Sequence, residues 1–311
     1  MSPIAPPRNH LLAGPTPLYL LERLSAELDR EVWIKRDDLT PVGFGGNKVR
    51  KLEYLLDEAD DAGADLLITV GAAQSNHCRA VAAVAAMTGR RCLLVLAGSG
   101  DRAATGNVLL DRMWGAELEY VSTGGWESCL ERAEQRVVEL RQSGARPFLI
   151  PVGGSTVTGA KGYARAYGEM VAQGVVGTIV TASGSGGTHA GLIAGYALSD
   201  DGPPAMGVQV AQTPEYLIDT AAGLADSLVW QIGSPSRTAA VTVLDGYMGE
   251  KYGRATPAGL AAQRLLMRTE GIVLDDVYTA KAFAAILAAD ERIPAGPVTF
   301  LHTGGAPSVF A

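Results

Sequence analysis

The sequence predicts an α/β protein whose sheets are mainly parallel and covered by helices on both faces, and three observations predict it. Short aliphatic or β-branched runs alternate with helical patterns of about 10–15 residues, the signature of βαβ units. Glycine is abundant, 38 of 311 residues, and aromatics make up only 6%, a balance suited to many tight strand-to-helix turns. The chain is 47% hydrophobic and 19% charged, too apolar for disorder and long enough to bury roughly three quarters of its unfolded surface without staples.

Residues 66–70 read as a buried strand, followed by the turn 71–76 and a helix through 79–87. Residues 92–96 are the next strand and 106–114 the next helix; 117–121 then precede a long amphipathic stretch, 126–142. A strand at 148–152 and a helix at 159–172 follow, and 178–181 lead through a glycine-rich loop into a helix at 190–198. Later strands are expected at 207–211, 240–244, 272–274 and 298–301. So many strands exceed one comfortable open sheet, so two α/β domains facing a cleft are expected.

The formal charge is −7, from 33 acidic and 26 basic side chains, which argues against nucleic acid or an anionic membrane as partner. No apolar run approaches the roughly 18 residues that cross a bilayer. Cys78, Cys92 and Cys129 form no CxxC pair, and so sparse, odd a count suits a reducing compartment. Residues 1–7 carry three prolines and no apolar stretch, so a secretory signal is not expected and the cytoplasm is the expected location.

In open α/β sheets ligands bind at the carboxyl ends of the strands; three turns placed there, and one further glycine-rich stretch, carry polar groups. The loop Ser183-Gly184-Ser185-Gly186-Gly187-Thr188-His189 opens a helix, a geometry that offers free N–H groups to an anion such as phosphate. It lacks the lysine of a P-loop, and His189 breaks the G-x-G-x-x-G spacing, which weakens a nicotinamide oxidoreductase reading. In Gly43-Phe44-Gly45-Gly46-Asn47-Lys48 the glycines deliver Lys48 to a helix start whose apolar face runs Val49, Leu52, Leu55, Leu56. Lys48 and Lys51 are out of place there electrostatically. The cations Lys35, Arg36, Arg50 and Lys51 are expected to depress the pKa of Lys48, freeing the amine for Schiff-base chemistry. The third turn, Gln74-Ser75-Asn76-His77, suits carboxylate and hydroxyl recognition, with Ser75 or Asn76 as helix cap. The fourth is His302-Thr303-Gly304-Gly305. Tyr247, Tyr252 and Tyr278 complete the candidates, each as readily packed as functional.

Together these segments resemble the pyridoxal-phosphate family that contains D-cysteine desulfhydrase and 1-aminocyclopropane-1-carboxylate deaminase. The similarity runs from Thr16-Pro17-Leu18 and Ile34-Lys35-Arg36-Asp37-Asp38 through Gly45-Gly46-Asn47-Lys48 and Gln74-Ser75-Asn76-His77 to His302-Thr303-Gly304-Gly305. It implies PLP fold type II, the tryptophan synthase β-like arrangement, with a large cofactor-binding domain (1–47 and 160–311), a small domain (48–159) and the active site between them. By the resemblance, Lys48 holds pyridoxal 5'-phosphate through an imine and Asn76 bonds the cofactor's phenolic oxygen. Ser185, Gly186, Gly187 and Thr188 cup its phosphate, and Thr303 meets its ring nitrogen. Ser75, with Gln74, Asn76 and His77, takes the substrate carboxylate, and Tyr252 and Tyr278 stand beside the substrate. No metal is implied; a homodimer is.

The deaminases place a glutamate directly after the second tyrosine, where this chain has Thr279, as the desulfhydrases do. A neutral hydroxyl there makes the ring a weaker electron sink, which suits sulfur elimination better than opening a cyclopropane. The resemblance therefore implies α,β-elimination of sulfur from a D-cysteine-like amino acid to pyruvate, ammonia and sulfide. Lys251 and Arg254 depart from the desulfhydrase pattern and offer cations to a sulfonate, so L-cysteate sulfo-lyase is an alternative, with the cyclopropane deaminase another. A protein that binds pyridoxal phosphate or a phosphometabolite without turnover is the reading from a different class.

Overall fold

The structure, a computed structural model, describes residues 3–100, 104–199, 202–234 and 240–311; the first two residues of the N-terminal segment read above lie outside them. In chain order the elements are β1 (Leu18–Leu20), α1 (Glu22–Leu28), β2 (Val32–Arg36), α2 (Lys48–Asp61), β3 (Leu66–Ala72), α3 (Asn76–Met87), β4 (Arg91–Ala97), α4 (Gly106–Met113), β5 (Glu117–Val121) and α5 (Gly125–Gln142). There follow β6 (Pro147–Ile150), α6 (Val157–Ala172), β7 (Thr178–Ser183), α7 (Gly187–Ala197), β8 (Ala205–Gln209), α8 (Pro214–Gln231), β9 (Thr242–Leu244), α9 (Pro257–Glu270), α10 (Thr279–Leu287) and β10 (Val298–His302).

These strands form two sheets, one of six in the order β1-β2-β10-β7-β8-β9 and one of four in the order β5-β4-β3-β6. Pairing is parallel throughout except for β1 against β2. Parallel strands covered on both faces read as continuous apolar runs; β3 buries six successive residues. On one face of the larger sheet Val32, Ile34, Val180, Val208 and Phe300 pack with Leu266 of α9 and Phe283 of α10. On the other face lie α6, α7 and α8, whose Ala164, Ile193, Ala194, Ala225 and Leu228 form their own cluster. The smaller sheet sits between α2 and α3, through Leu52, Leu55, Leu56 and Val81 against Leu67 and Leu94, and α5, through Cys129 and Ala133 against Ile68 and Val95. The α/β class with parallel, doubly covered sheets expected from the sequence is therefore what the chain adopts.

Two expectations need correction. Residues 272–274 form no strand: Ile272 and Leu274 are buried in the core, and the intervening Val273 carbonyl accepts from the His302 ring at 2.9 Å rather than from a ladder partner. Two helices, α3 and α6, also begin earlier than expected, because side chains close their first turns. Ser75 caps α3 by accepting from the His77 and Cys78 amides at 3.2 Å, and Thr156 caps α6 by accepting from Gly159 at 3.0 Å.

What fixes α2 to the larger sheet is a buried charge cluster. Arg50 donates to Asp37 through Nε at 2.8 Å and Nη2 at 2.9 Å, and to both oxygens of Glu169 on α6 at 2.9 Å. Asp37 also accepts from Tyr163 at 2.6 Å and Thr16 at 2.7 Å, and Lys35 completes the cluster on Glu169. Asp37 and Lys35 are fully buried, so these charges stand only because each is paired. Replacing Arg50 by Met leaves Asp37 buried with no cation. Urea unfolding is expected to show a loss of about 3–5 kcal/mol, the cost of breaking a buried pair from one side; a change within about 1 kcal/mol contradicts the assignment.

Candidate active site

The carboxyl ends of strands from both sheets meet around a cavity of about 450 Å³, within the ~300–1,000 Å³ range of small-molecule sites. Its lining includes Lys48, Ser75, Asn76, His77, Gly153, Ser155, Ser183, Gly184, Ser185, Gly186, Thr188, Tyr252, Tyr278 and Thr303. Most of the residues expected from the sequence are thus brought together, although they come from separate segments of the chain.

Lys48 opens α2. Gly45 and Gly46, just before it, pack against backbone. A side chain on Gly45 (φ +70°) would drive into the Asp38 carbonyl, and one on Gly46 (φ +110°) would stand 2.9 Å from the Thr303 carbonyl. Asn47 then ties the helix start to two other turns, its amide donating to Thr303 O at 3.0 Å and its Nδ2 to Thr188 Oγ1 at 2.8 Å. The Lys48 amine has no hydrogen-bond or ion-pair partner among the described residues, and burial pushes its pKa down to about 8. The depression expected from neighbouring cations is not its cause. Lys35 and Arg50 are neutralised by Glu169 and Asp37, and Arg36 by Asp38. The influence runs the other way: burial, then the charge of Lys48, holds Lys51 well below the ordinary lysine value.

The turn after β7 forms a shallow cup lined by Ser185, Gly186 and Thr188. Gly186 precedes α7 in a left-handed conformation without a side-chain cap, and first-turn amides have no acceptor within their helix. Ser155, from the turn after β6, accepts from Gly187 N at 3.2 Å and lies 2.8 Å from Ser185 Oγ. Gly187 itself is not among the lining residues; a Cβ there would meet Ser155 and stand 2.9 Å from Lys51 Nζ. Lys51 is fully buried and donates only to the Gly153 carbonyl at 3.1 Å, so a lysine without a carboxylate partner lies beneath the cup. Thr188 accepts from Asn47 and keeps its own hydroxyl hydrogen, and the buried Ser183 hydroxyl has no partner. This surplus of donors, with a lysine that a bound anion would hold protonated, fits a phosphate dianion.

Tyr252 and Tyr278 share a hydroxyl–hydroxyl hydrogen bond, their rings set edge to face at 6.0 Å. Burial raises the pKa of both, that of Tyr278 strongly, so each keeps its proton at neutral pH. Gly184 gives the Tyr278 ring room, since a Cβ there would lie 3.3 Å from it. Ser75 accepts two amides as cap of α3, lies against the Cys78 thiol and also lines the cavity. His77 is held by Thr69, 3.0 Å from its Nε2; burial and the charges of Lys48 and Lys51 keep it neutral.

Four sequence expectations change. Gln74 does not reach the cavity: its Oε1 accepts from Asn107 N at 2.8 Å and its Nε2 donates to Thr105 O at 3.1 Å, so the amide is used at the start of α4. Thr279 is fully buried behind the wall, its hydroxyl 2.6 Å from Asp275 Oδ1, and it does not line the cavity. The neutral hydroxyl facing the cavity is that of Thr303. Tyr247 packs on the core and donates to Asp290 at 2.7 Å. Lys251 and Arg254 are exposed and also do not line the cavity. Sequence reasoning missed Ser155, although its turn obeys the same strand-end rule, and Trp126. The latter stacks edge to face on Tyr252 at 6.0 Å and carries no signal in a helix that reads as merely amphipathic.

Comparison with known proteins agrees with this geometry. A D-cysteine desulfhydrase of Yersinia pestis (strain Pestoides F) is 40% identical over 321 residues, with 98% of this chain and 96% of the relative covered. One of Salmonella typhi is 41% identical over 318 residues, with the same shares covered. A solved structure described as an ACC deaminase homologue superposes with a TM-score of 0.92 at 37% identity, covering 98% of this chain and 93% of that one. A fungal L-serine ammonia-lyase from Rhizomucor miehei, at 18% identity and a TM-score of 0.69 over 96% of this chain and 95% of that one, shares the fold. The family described as pyridoxal-phosphate dependent enzyme matches residues 10–304, almost the whole of the framework that brings the Lys48 amine to the phosphate-type cup. The chain belongs to this family, and pyridoxal phosphate is its cofactor.

Proposed function

We propose that this protein is a carbon–sulfur lyase that takes a D-cysteine-like amino acid and water to pyruvate, ammonia and hydrogen sulfide. The observation that carries the reading is the Lys48 amine, unpartnered and lowered to about 8 by burial, in one cavity with the glycine cup and the paired tyrosines.

Pyridoxal phosphate supplies, when bound, the electron sink that stabilises a carbanion at the substrate α-carbon, which no side chain can do. The chain's own residues would do the rest. Lys48 anchors the cofactor, and the amine freed by substrate takes the α-proton. The Ser185–Thr188 turn, with Ser155 beside it and Lys51 beneath, would hold the phosphate, Thr303 would meet the ring nitrogen, and Asn76 would meet the phenolic oxygen. Ser75 would bind the substrate carboxylate. As the Cβ–S bond breaks the electron pair leaves with sulfur, and the protonated Tyr252–Tyr278 pair is the proton source there. Acid–base help of this kind is worth about 10²–10⁴-fold.

The alternatives find less support. Among the described lining residues Lys48 is the one cation, and Glu127 also lines the cavity, so nothing offers a sulfonate the counter-charge that L-cysteate requires. No carboxylate lies beside Thr303 in the lining, which leaves the ring nitrogen the weaker partner that suits sulfur elimination rather than cyclopropane opening. A binding protein without turnover does not account for a free amine beside two protonated tyrosines. We read the chain as a large domain (1–47 and 160–311) and a small one (48–159), consistent with four strands within 66–150 forming the smaller sheet. We also read it as a cytoplasmic homodimer without nucleic-acid or membrane partners. No described helix is long and apolar enough to cross a membrane, and Cys78, Cys92 and Cys129 are buried free thiols, as a reducing compartment allows.

Incubation with D-cysteine, L-cysteine, L-cysteate and 1-aminocyclopropane-1-carboxylate, followed by assay of pyruvate, 2-oxobutyrate, sulfide and sulfite, is expected to give pyruvate and sulfide in equal amounts from D-cysteine. 2-Oxobutyrate from the cyclopropane compound, with no pyruvate elsewhere, overturns the reading. The lowered amine also sets a pH dependence. Imine formation needs neutral lysine, so its rate in cofactor-free protein rises with pH and levels off above about 8. At pH 7 about a tenth of the amine is neutral, against about one part in 3,000 for an unperturbed lysine. Stopped-flow growth of the visible cofactor band is expected to show a midpoint near 8; one near 10.5, the ordinary value, contradicts the buried-amine account.

A further inference from the structure

The start of α4 touches the active-site turn at one place, and Asn107, the second residue of that helix, makes the contact. Its side chain is fully buried. Its Nδ2 donates to the Gln74 carbonyl at 2.9 Å and to Asn76 Oδ1 at 3.0 Å. Its backbone amide donates to Gln74 Oε1 at 2.8 Å, and Gln74 Nε2 returns a bond to Thr105 O at 3.1 Å. Gln74 therefore clasps the start of α4 from outside the helix, which is why it does not enter the cavity.

This arrangement fixes which way two amides face. A carbonyl oxygen accepts and never donates, so the group of Asn107 against Gln74 O has to be its NH₂. That NH₂ spends its second hydrogen on Asn76, so the atom of Asn76 that meets it has to be the oxygen. Reversing Asn107 would set its carbonyl oxygen against those of both Gln74 and Asn76 in a buried place, so the amide keeps this orientation although its own Oδ1 finds no hydrogen-bond partner among the described residues. With Oδ1 of Asn76 occupied, its Nδ2 is the end left over, and that nitrogen has no partner among the described residues while Asn76 lines the cavity.

We propose that Asn107 is a positioning residue that locks Asn76 as a hydrogen-bond donor, and so sets the electronic state of the bound pyridoxal phosphate through its phenolic oxygen. The proposal rests on the reading of the cavity given above. A donor on an oxygen favours its anion; without it, the bound chromophore holds its proton to higher pH. Asn107→Asp substitutes an acceptor of the same shape, which draws the Asn76 NH₂ toward itself and away from the cofactor.

The test is a pH titration of the visible absorption band of the holoenzyme, in the wild type, Asn107→Asp, Asn107→Ala, Asn76→Ala and the double variant Asn76→Ala/Asn107→Asp. Borohydride reduction gives cofactor content in parallel. Asn107→Asp is expected to raise the midpoint by about one pH unit, the size one hydrogen bond to a charged group supports. Asn76→Ala should shift it similarly, and the double variant should add nothing further. Asn107→Ala, which frees the Asn76 amide to rotate, should give a smaller rise and serves as the reading where Asn107→Asp does not fold. A midpoint unmoved in both Asn107 variants while Asn76→Ala moves it overturns the proposal, as does additivity in the double variant. A wild type that takes up no pyridoxal phosphate overturns the reading of the cavity, and this assignment with it.

Discussion

The structure depends on the double ion pair that Arg50 makes with Asp37 and Glu169. Arg50 follows Lys48 by two residues, in the first turn of α2, and Asp37 lies in the turn directly after β2. The same Asp37 whose carboxylate receives Arg50 accepts the Gly46 amide at 2.9 Å through its backbone carbonyl. One residue therefore holds both the helix that carries the reactive lysine and the loop that delivers it. The pairing also sorts the charges. With Lys35, Arg36 and Arg50 each matched to a carboxylate, Lys48 stands as an unpaired amine, and desolvation alone lowers its pKa. An amine held this way is reactive because its surroundings are dry rather than because they are positive.

The second organising feature is the meeting of strand ends. Lys48, Thr303 and Thr188 belong to three separate turns, yet the backbone and side chain of Asn47 bond the second and third directly. Gly46 and Gly304 let the Lys48 and Thr303 turns touch without side chains between them. Beneath the cup, Lys51 adds an amine that a bound dianion would hold protonated, and Ser155 joins the smaller sheet to the rim of the larger one. The cavity is a junction of two sheets, so its shape is set by backbone contacts that substitution at the rim disturbs little.

Much of this was legible in the sequence. The alternation of apolar runs and helical patterns predicts two parallel-sheet layers, because strands buried on both faces have no polar side to show. Lys48 was legible because a cation at a helix start is costly without a use, and the 183–189 loop because glycine and serine at a strand end leave amides free. What was not legible depends on partners distant in sequence. Gln74 read as a recognition residue beside Ser75 and Asn76, but its acceptor is met by an amide more than thirty positions away. Thr279 read as a cavity hydroxyl, but Asp275 takes it into the wall. The apolar alternation at 272–274 read as a strand, but it packs beneath α10, with His302 taking the one carbonyl between. Trp126 gave no sign at all, since only the fold brings the start of α5 against Tyr252.

The central claim, that the Lys48 amine forms the covalent link to pyridoxal phosphate, is tested most directly by reducing the holoenzyme with borohydride and mapping the modified peptide by mass spectrometry. The account predicts a single pyridoxyl-phosphate addition on the peptide that contains Lys48, at Lys48 itself. An adduct at Lys51 or elsewhere, with Lys48 unmodified, would contradict it.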